Sequence, residues 1–219
     1  MATRQVLGEL ARQWQERSGV QLAIESVGGV DAAKRVAAGE AFDVVFLAAD
    51  AIDKLVAAGH AVAGSRADLV NSGVAIAVRE GAERPDVSSE DALRQAVLAA
   101  PTIGYSTGPS GTSLLKLFDR WGITPQLQGR LVQAPAGVPV GSLVAKGEVA
   151  LGFQQLSELM HLEGIAILGP MPEPVRIDTI FSGAACTASR DPEAVRALLA
   201  FLAGPDTADT KRRHGMAPA

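Results

Sequence analysis

One cysteine in the whole chain excludes an internal disulfide and any cysteine-built zinc site. That residue, Cys186, lies in an apolar run and reads as a small core side chain. Histidine is almost as scarce. His60, His161 and His214 stand far apart without metal-ligand spacing, so neither a metal nor a cofactor is expected. No basic stripe is present, and the net charge of −4 with a pI near 5.4 argues against a nucleic-acid partner. The one basic cluster, Lys211, Arg212 and Arg213, reads as a solvated helix end. No run of about 18 apolar residues occurs, so no membrane-spanning helix is expected. Nor does the start resemble a signal peptide: Met1-Ala2-Thr3-Arg4 runs straight into an amphipathic pattern.

What is present is a globular composition, 47% hydrophobic and 20% charged over 219 residues. That length suffices for one large domain or two lobes with cores of their own. Residues 4–17 carry Val6, Leu7, Leu10, Ala11 and Trp14 at helical spacing, with Thr3 available as the cap. Residues 20–27 alternate like a strand. A break at Gly28-Gly29 precedes a second helix over 31–38, which Asp31 caps and Gly39 stops, with Ala33, Val36 and Ala37 inward. Residues 43–48 form the continuous apolar run of a buried strand, and Asp50 is placed to cap the helix that follows.

Helices alternating with strands on short loops indicate an α/β layered sheet. Such a sheet normally begins with a strand, whereas here a helix comes first. After a longer strand at 70–78 and a charged, proline-containing segment, the alternation resumes. Helices are predicted at 88–98, 112–121, 138–146 and 155–161, with strands at 102–106, 130–134, 149–153 and 164–168. Ser88 with Asp91 resembles a capping box. A long strand follows at 175–188, then a helix opened by Asp191-Pro192-Glu193 and a short one over 207–213. The strands at 70–79 and 175–188 bracket the middle series, which predicts two lobes, 1–79 with 180–219 and 80–179, and a ligand cleft between them.

The segment 105–113 is the most informative stretch. Glycines and hydroxylated residues, Ser106, Gly108, Ser110, Gly111 and Thr112, sit at a strand-to-helix junction. First-turn amides there have no intrahelical partner and the helix dipole favours negative charge, so the junction suits an anion. Ordinary capping by Ser110 or Thr112 is the competing reading. Gln154 and Gln155 follow a buried strand, at the carboxyl end where α/β sheets bind ligands; neighbours on a strand face opposite sides, so one of the pair points each way. Trp14 and Trp121 lie among leucines and read as core. Arg4, in the first turn of its helix, reads as a surface residue.

In order and spacing, several pieces resemble the type II periplasmic solute-binding proteins, in particular their molybdate-binding branch. They are the opening helix, the Gly28-Gly29-Val30-Asp31 break, Ala38-Gly39 through Asp43-Val44-Val45-Phe46, the Gly108–Thr112 loop and Phe201-Leu202-Ala203-Gly204-Pro205. The resemblance implies two α/β lobes, each a mixed sheet flanked by helices, joined by two crossing strands and closing on a small anion. Carried over by position, the ligand contacts are Thr3, Gly28, Gly29 and Val30 in the first lobe. In the second they are Ser106, Ser110, Gly111, Thr112, the helix start near Val138, and Gln154 with Gln155. It also implies an extracytoplasmic location and a membrane ABC permease as partner.

The chain departs from the molybdate binders where hydroxyls matter. Gly28-Gly29-Val30 offers amides but no hydroxyl, and glutamines stand near the position of a family tyrosine. Amides that both donate and accept favour a carboxylate over molybdate. The first expectation is therefore a non-catalytic binder of a small oxyanion or organic acid. The second is an isomerase of a small unsaturated tricarboxylate, since the same family includes aconitate isomerases. A 1,3-proton shift needs a base and donors for the developing enolate. Glu25, Asp31 and His161 are nameable as the base, and no spacing selects among them. A DNA-linked ligand sensor is disfavoured by the lack of a helix-turn-helix or basic face.

Overall fold

The computed structural model describes residues 2–219. Along the chain run α1 (Arg4–Ser18), α2 (Gly29–Ala37), β1 (Val44–Ala48), α3 (Ala49–Ala57), β2 (Ala67–Arg79), α4 (Glu90–Ala99) and β3 (Ile103–Tyr105). They are followed by α5 (Pro109–Arg120), β4 (Leu131–Gln133), α6 (Val140–Lys146), β5 (Leu151–Gln155), α7 (Leu156–Leu159) and β6 (Ile165–Pro170). Last come β7 (Asp178–Ala185), α8 (Pro192–Ala203), α9 (Ala208–Arg213) and β8 (Ala217–Pro218). The chain divides into two units, Met1–Ser72 with Thr179–Ala219, and Gly73–Asp178. It passes between them inside β2 and at the first residue of β7.

In the first unit β1 pairs antiparallel with β7, from Val44 opposite Ala185 to Ala48 opposite Phe181. The start of β2 pairs with β8. The apolar stripe of α1, Val6, Leu7, Leu10 and Trp14, packs with Leu69, Val70, Leu198, Leu202 and Met216. A second cluster joins Val36, Val45, Leu47, Ile52 and Leu55 to Cys186, which is buried.

In the second unit the remainder of β2 runs antiparallel to β5 and β6, while β3 lies parallel between β5 and β4. The core contains Ile76, Leu93, Val97, Ile103, Leu114, Phe118, Leu151 and Phe153. Phe118 of α5 meets Phe153 of β5 edge-on, with ring centroids 6.3 Å apart. Each such fully buried side chain contributes about 1.5–3 kcal/mol, so this face holds α5 firmly on the sheet. On the other face α6 packs tightly, since a Cβ on Gly152 would overlap Val144.

Several local expectations are corrected. Residues 20–27 form no strand; most are exposed, and Leu22 N instead donates to Gln15 Oε1 at 2.7 Å. Alternation only prepares a segment to be a strand, and the ladder itself requires a paired neighbour. Thr3 occupies the N-cap of α1 without a side-chain capping bond. Asp31 and Asp50 sit inside the first turns of α2 and α3, with Gly28 and Ala48 at the caps, and Ala37 is exposed. Ser89 rather than Ser88 caps α4, accepting from Ala92 N. In α2, α3 and α4 the first-turn carboxylate still favours the helix end through the dipole, so composition alone cannot fix the start to one residue. Lys211, expected in a solvated cluster, is fully buried. The Asp191 cap is as expected, accepting from Ala194 N at 3.0 Å.

Candidate functional site

The β3–α5 junction is assembled by three contacts. Gly108, at the N-cap of α5, is extended, and Pro109 opens the first turn where its missing N–H costs nothing. Ser106 Oγ accepts from Gly108 N at 3.3 Å and lies 3.1 Å from Ser110 Oγ. Gly111 packs directly on the Ser106 carbonyl, leaving no room there for a Cβ. Neither Ser110 nor Thr112 caps α5, because the helix begins three residues before the predicted start. The first intrahelical bond of this turn runs from Thr112 N to Gly108 O. The Ser110 and Gly111 amides therefore lie at the positive end of the helix without intrahelical acceptors. Ser110 and Gly111 are buried, Ser106 half-buried and Thr112 exposed.

Two further junctions leave the same sheet beside this one. Gly104 of β3 lies opposite Gly152 of the parallel β5, so Ser106 and Gln154, each two residues on, leave the sheet at the same level. Gln154 and Gln155 are both buried. Gln154 shares a face with Gly152 and turns toward α6, where its Oε1 accepts from Gly141 N at 3.2 Å. Gln155 shares the opposite face with Phe153, the side that α5 covers. Val138 lies on the exposed approach to α6, its N–H donating to Pro135 O.

Glu158, in α7, escaped the sequence reading. Its carboxyl is half-buried, and burial pushes its pKa above the usual carboxylate range, with hydrogen bonding to Gln154 among the smaller influences that lower it. The four-residue spacing between Gln154 and Glu158 was visible, but it crosses from strand to helix and so matches no single period. Ser157, beside it, buries a hydroxyl that has no hydrogen-bond partner among the described residues.

The other predicted contacts belong to the first unit. Gly28, Gly29 and Val30 form the start of α2, whose first intrahelical bond is Ala32 N to Gly28 O. Gly28 has φ of −60°, and a Cβ on Gly28 or Gly29 would meet only ordinary contacts at 3.6 Å. Neither backbone strain nor crowding demands glycine there, so the missing side chains leave the first-turn amides uncovered. Thr3 is half-buried at the start of α1. Of the nameable bases, Glu25 pairs with Arg35 at 2.6 Å, while Asp31 and His161 are exposed. Among the described residues no group of three or more His, Cys, Asp and Glu could hold a metal ion, and no helix is long and apolar enough to cross a membrane.

Two α/β units linked by two chain crossings, with α3, α5 and α7 each starting at the end of a strand, define the type II periplasmic binding-protein class. The periplasmic molybdate-binding protein of Azotobacter vinelandii has a similar fold, with a TM-score of 0.79 and 20% identity over 99% of this chain and 95% of that one. The chain belongs to the bacterial extracellular solute-binding protein family, which it matches over residues 1–217. Among characterised relatives it is 41% identical to an aconitate isomerase of a Pseudomonas species, over 96% of this chain and 82% of the relative. It is 29% identical to the Azotobacter vinelandii molybdate-binding protein ModA, over 78% of this chain and 69% of that protein.

Proposed function

We propose that this protein binds a small unsaturated tricarboxylate, of which aconitate is the type, and moves its double bond by a 1,3-proton shift. The observation that carries this reading is the 41% identity with an aconitate isomerase along nearly the whole chain. The local chemistry supports it. Ser106, Ser110, Gly111 and Thr112 offer neutral donors to a carboxylate at the start of α5, and Gln155 adds an amide at the neighbouring strand end. The amides of Gly28, Gly29 and Val30 are a separate candidate anion contact in the first unit. Developing enolate charge is best stabilised by such fixed dipoles, which need no reorganisation during reaction.

A second reading is a non-catalytic, extracytoplasmic binding protein that delivers the acid, or an inorganic oxyanion, to a membrane ABC permease. The family match over residues 1–217 favours it. One experiment separates the two. The protein is first screened by thermal shift against molybdate, tungstate, sulfate, citrate and cis- and trans-aconitate, and each stabilising anion is then followed by proton NMR in D2O. The isomerase reading expects carbon-bound deuterium and interconversion of the aconitates. Stabilisation without exchange selects the binder.

A further inference from the structure

The β5–α7 junction carries a carboxyl that anion binding does not use. Glu158 stands four residues beyond Gln154 and is hydrogen-bonded to its side chain. Gln154 in turn is held by the Gly141 amide, which donates to its Oε1. With the oxygen so engaged, the nitrogen end of the amide is the one left for Glu158, and that nitrogen can only donate. Gly141 thus sets the Gln154 amide so that its nitrogen donates toward the Glu158 carboxyl.

The placement suits proton transfer. Glu158 is half-buried, which keeps a route to a ligand while removing part of its hydration. A carboxylate so desolvated is a stronger base than one on the surface. Ser157 Oγ, buried at the same junction without a hydrogen-bond partner among the described residues, is a polar group a ligand or water would satisfy. The parallel register of β3 and β5 brings this junction out of the sheet beside the Ser106–Thr112 loop. Carboxylate-binding donors and a carboxyl base thus share one sheet edge of one unit.

We propose that Glu158 is the base that abstracts the carbon-bound proton in the isomerisation, with Gln154 as its positioning residue; this rests on the reading of the chain as a tricarboxylate isomerase. The Glu158 carboxylate takes a proton from the substrate methylene next to the double bond, breaking a C–H and forming an O–H bond. The released electron pair spreads over the adjoining double bond and carboxylate. The same carboxyl then returns its proton to the carbon at the far end of the former double bond. That carbon becomes the methylene, the double bond has moved by one position, and nothing is oxidised or reduced.

The test uses the whole chain with cis- and trans-aconitate in D2O. Glu158→Gln is expected to lose exchange and interconversion together by about 10²- to 10⁴-fold. Its thermal stabilisation by the same acids persists. Glu158→Asp restores part of the rate. Gln154→Met moves the rise of rate with pH to higher pH, because one of the influences that lower the carboxyl's pKa is gone. Wild-type exchange by Glu158→Gln overturns the assignment of Glu158 and leaves the isomerase reading standing. No exchange by the unmodified protein, despite binding, overturns the isomerase reading itself. If Glu158→Gln does not fold, the pH–rate profile of the unmodified protein decides, and a flat profile from acid to neutral pH overturns the assignment.

Discussion

Gly111 lies against the carbonyl oxygen of Ser106 so closely that a single methyl group would occupy the same space. This contact sets how far α5 advances over the end of β3, and with it the position of the Ser110 hydroxyl, 3.1 Å from that of Ser106.

Gly111→Ala is expected to push the first turn of α5 off the strand end. Overpacking of this kind costs about 1–3 kcal/mol. A chain of this size loses about 2–4 °C of melting temperature for each kcal/mol. Stabilisation by aconitate in the thermal-shift series should vanish as well. An alanine variant that melts and responds like the parent would show that the close approach is unimportant.

Ser110→Ala removes a buried hydroxyl at the positive end of a helix. A hydrogen bond to a charged partner is worth about 1.5–3 kcal/mol, so Kd for the bound acid should rise about tenfold or more. Thr112 is exposed, and Thr112→Val is expected to weaken binding less. Isothermal titration of both variants checks the order, and a larger loss at Thr112 would contradict it.

Glu158 makes stability depend on pH. Burial raises its folded pKa above the unfolded value, so its favourable contribution is complete below the unfolded carboxylate pKa and disappears as pH rises through the folded one. Glu158→Gln should therefore melt higher than the parent at pH 8 and close to it at pH 4. Equal differences at both pH values would mean that ionisation of Glu158 costs nothing.

Lys211 works in the opposite sense. It is fully buried in α9, its ammonium finds no hydrogen-bond partner among the described residues, and burial lowers its pKa. Its stabilising contribution is present above the unfolded lysine pKa and is lost as pH falls through the folded one. At neutral pH the chain carries that cost, so Lys211→Met is expected to raise the melting temperature. The gain should shrink above pH 10. A Met variant that melts lower at pH 7 would show that the ammonium is satisfied.

Legibility in the sequence followed how local each determinant is. Asp191-Pro192-Glu193 carries cap, first-turn proline and acid within three residues, and α8 starts where they say. The amphipathic stripe of α1 was likewise visible, because every member lies within one helix. Residues 20–27 misled because alternation describes a face, while a strand also needs an edge to pair with. Lys211 misled because two exposed arginines follow it, and only the tertiary packing of α9 turns it inward. The loop around Ser110 could be recognised from its composition, but the starting residue of α5 could not, since Pro109, Ser110 and Thr112 all suit a first turn. Glu158 depended on Gln154 reaching it across a strand-to-helix junction, a relation no single periodicity encodes.

Cys186 gives the molecule a reporter of its own. The thiol is buried in the first unit and its pKa is pushed up to about 11 by desolvation and by Asp43, so almost none of it is thiolate near neutrality. Alkylating reagents attack the thiolate. Labelling in the folded protein must then wait for the β1–β7 region to open, and its rate measures the free energy of that opening. Because the second unit contains no cysteine, the clock runs on the first unit alone.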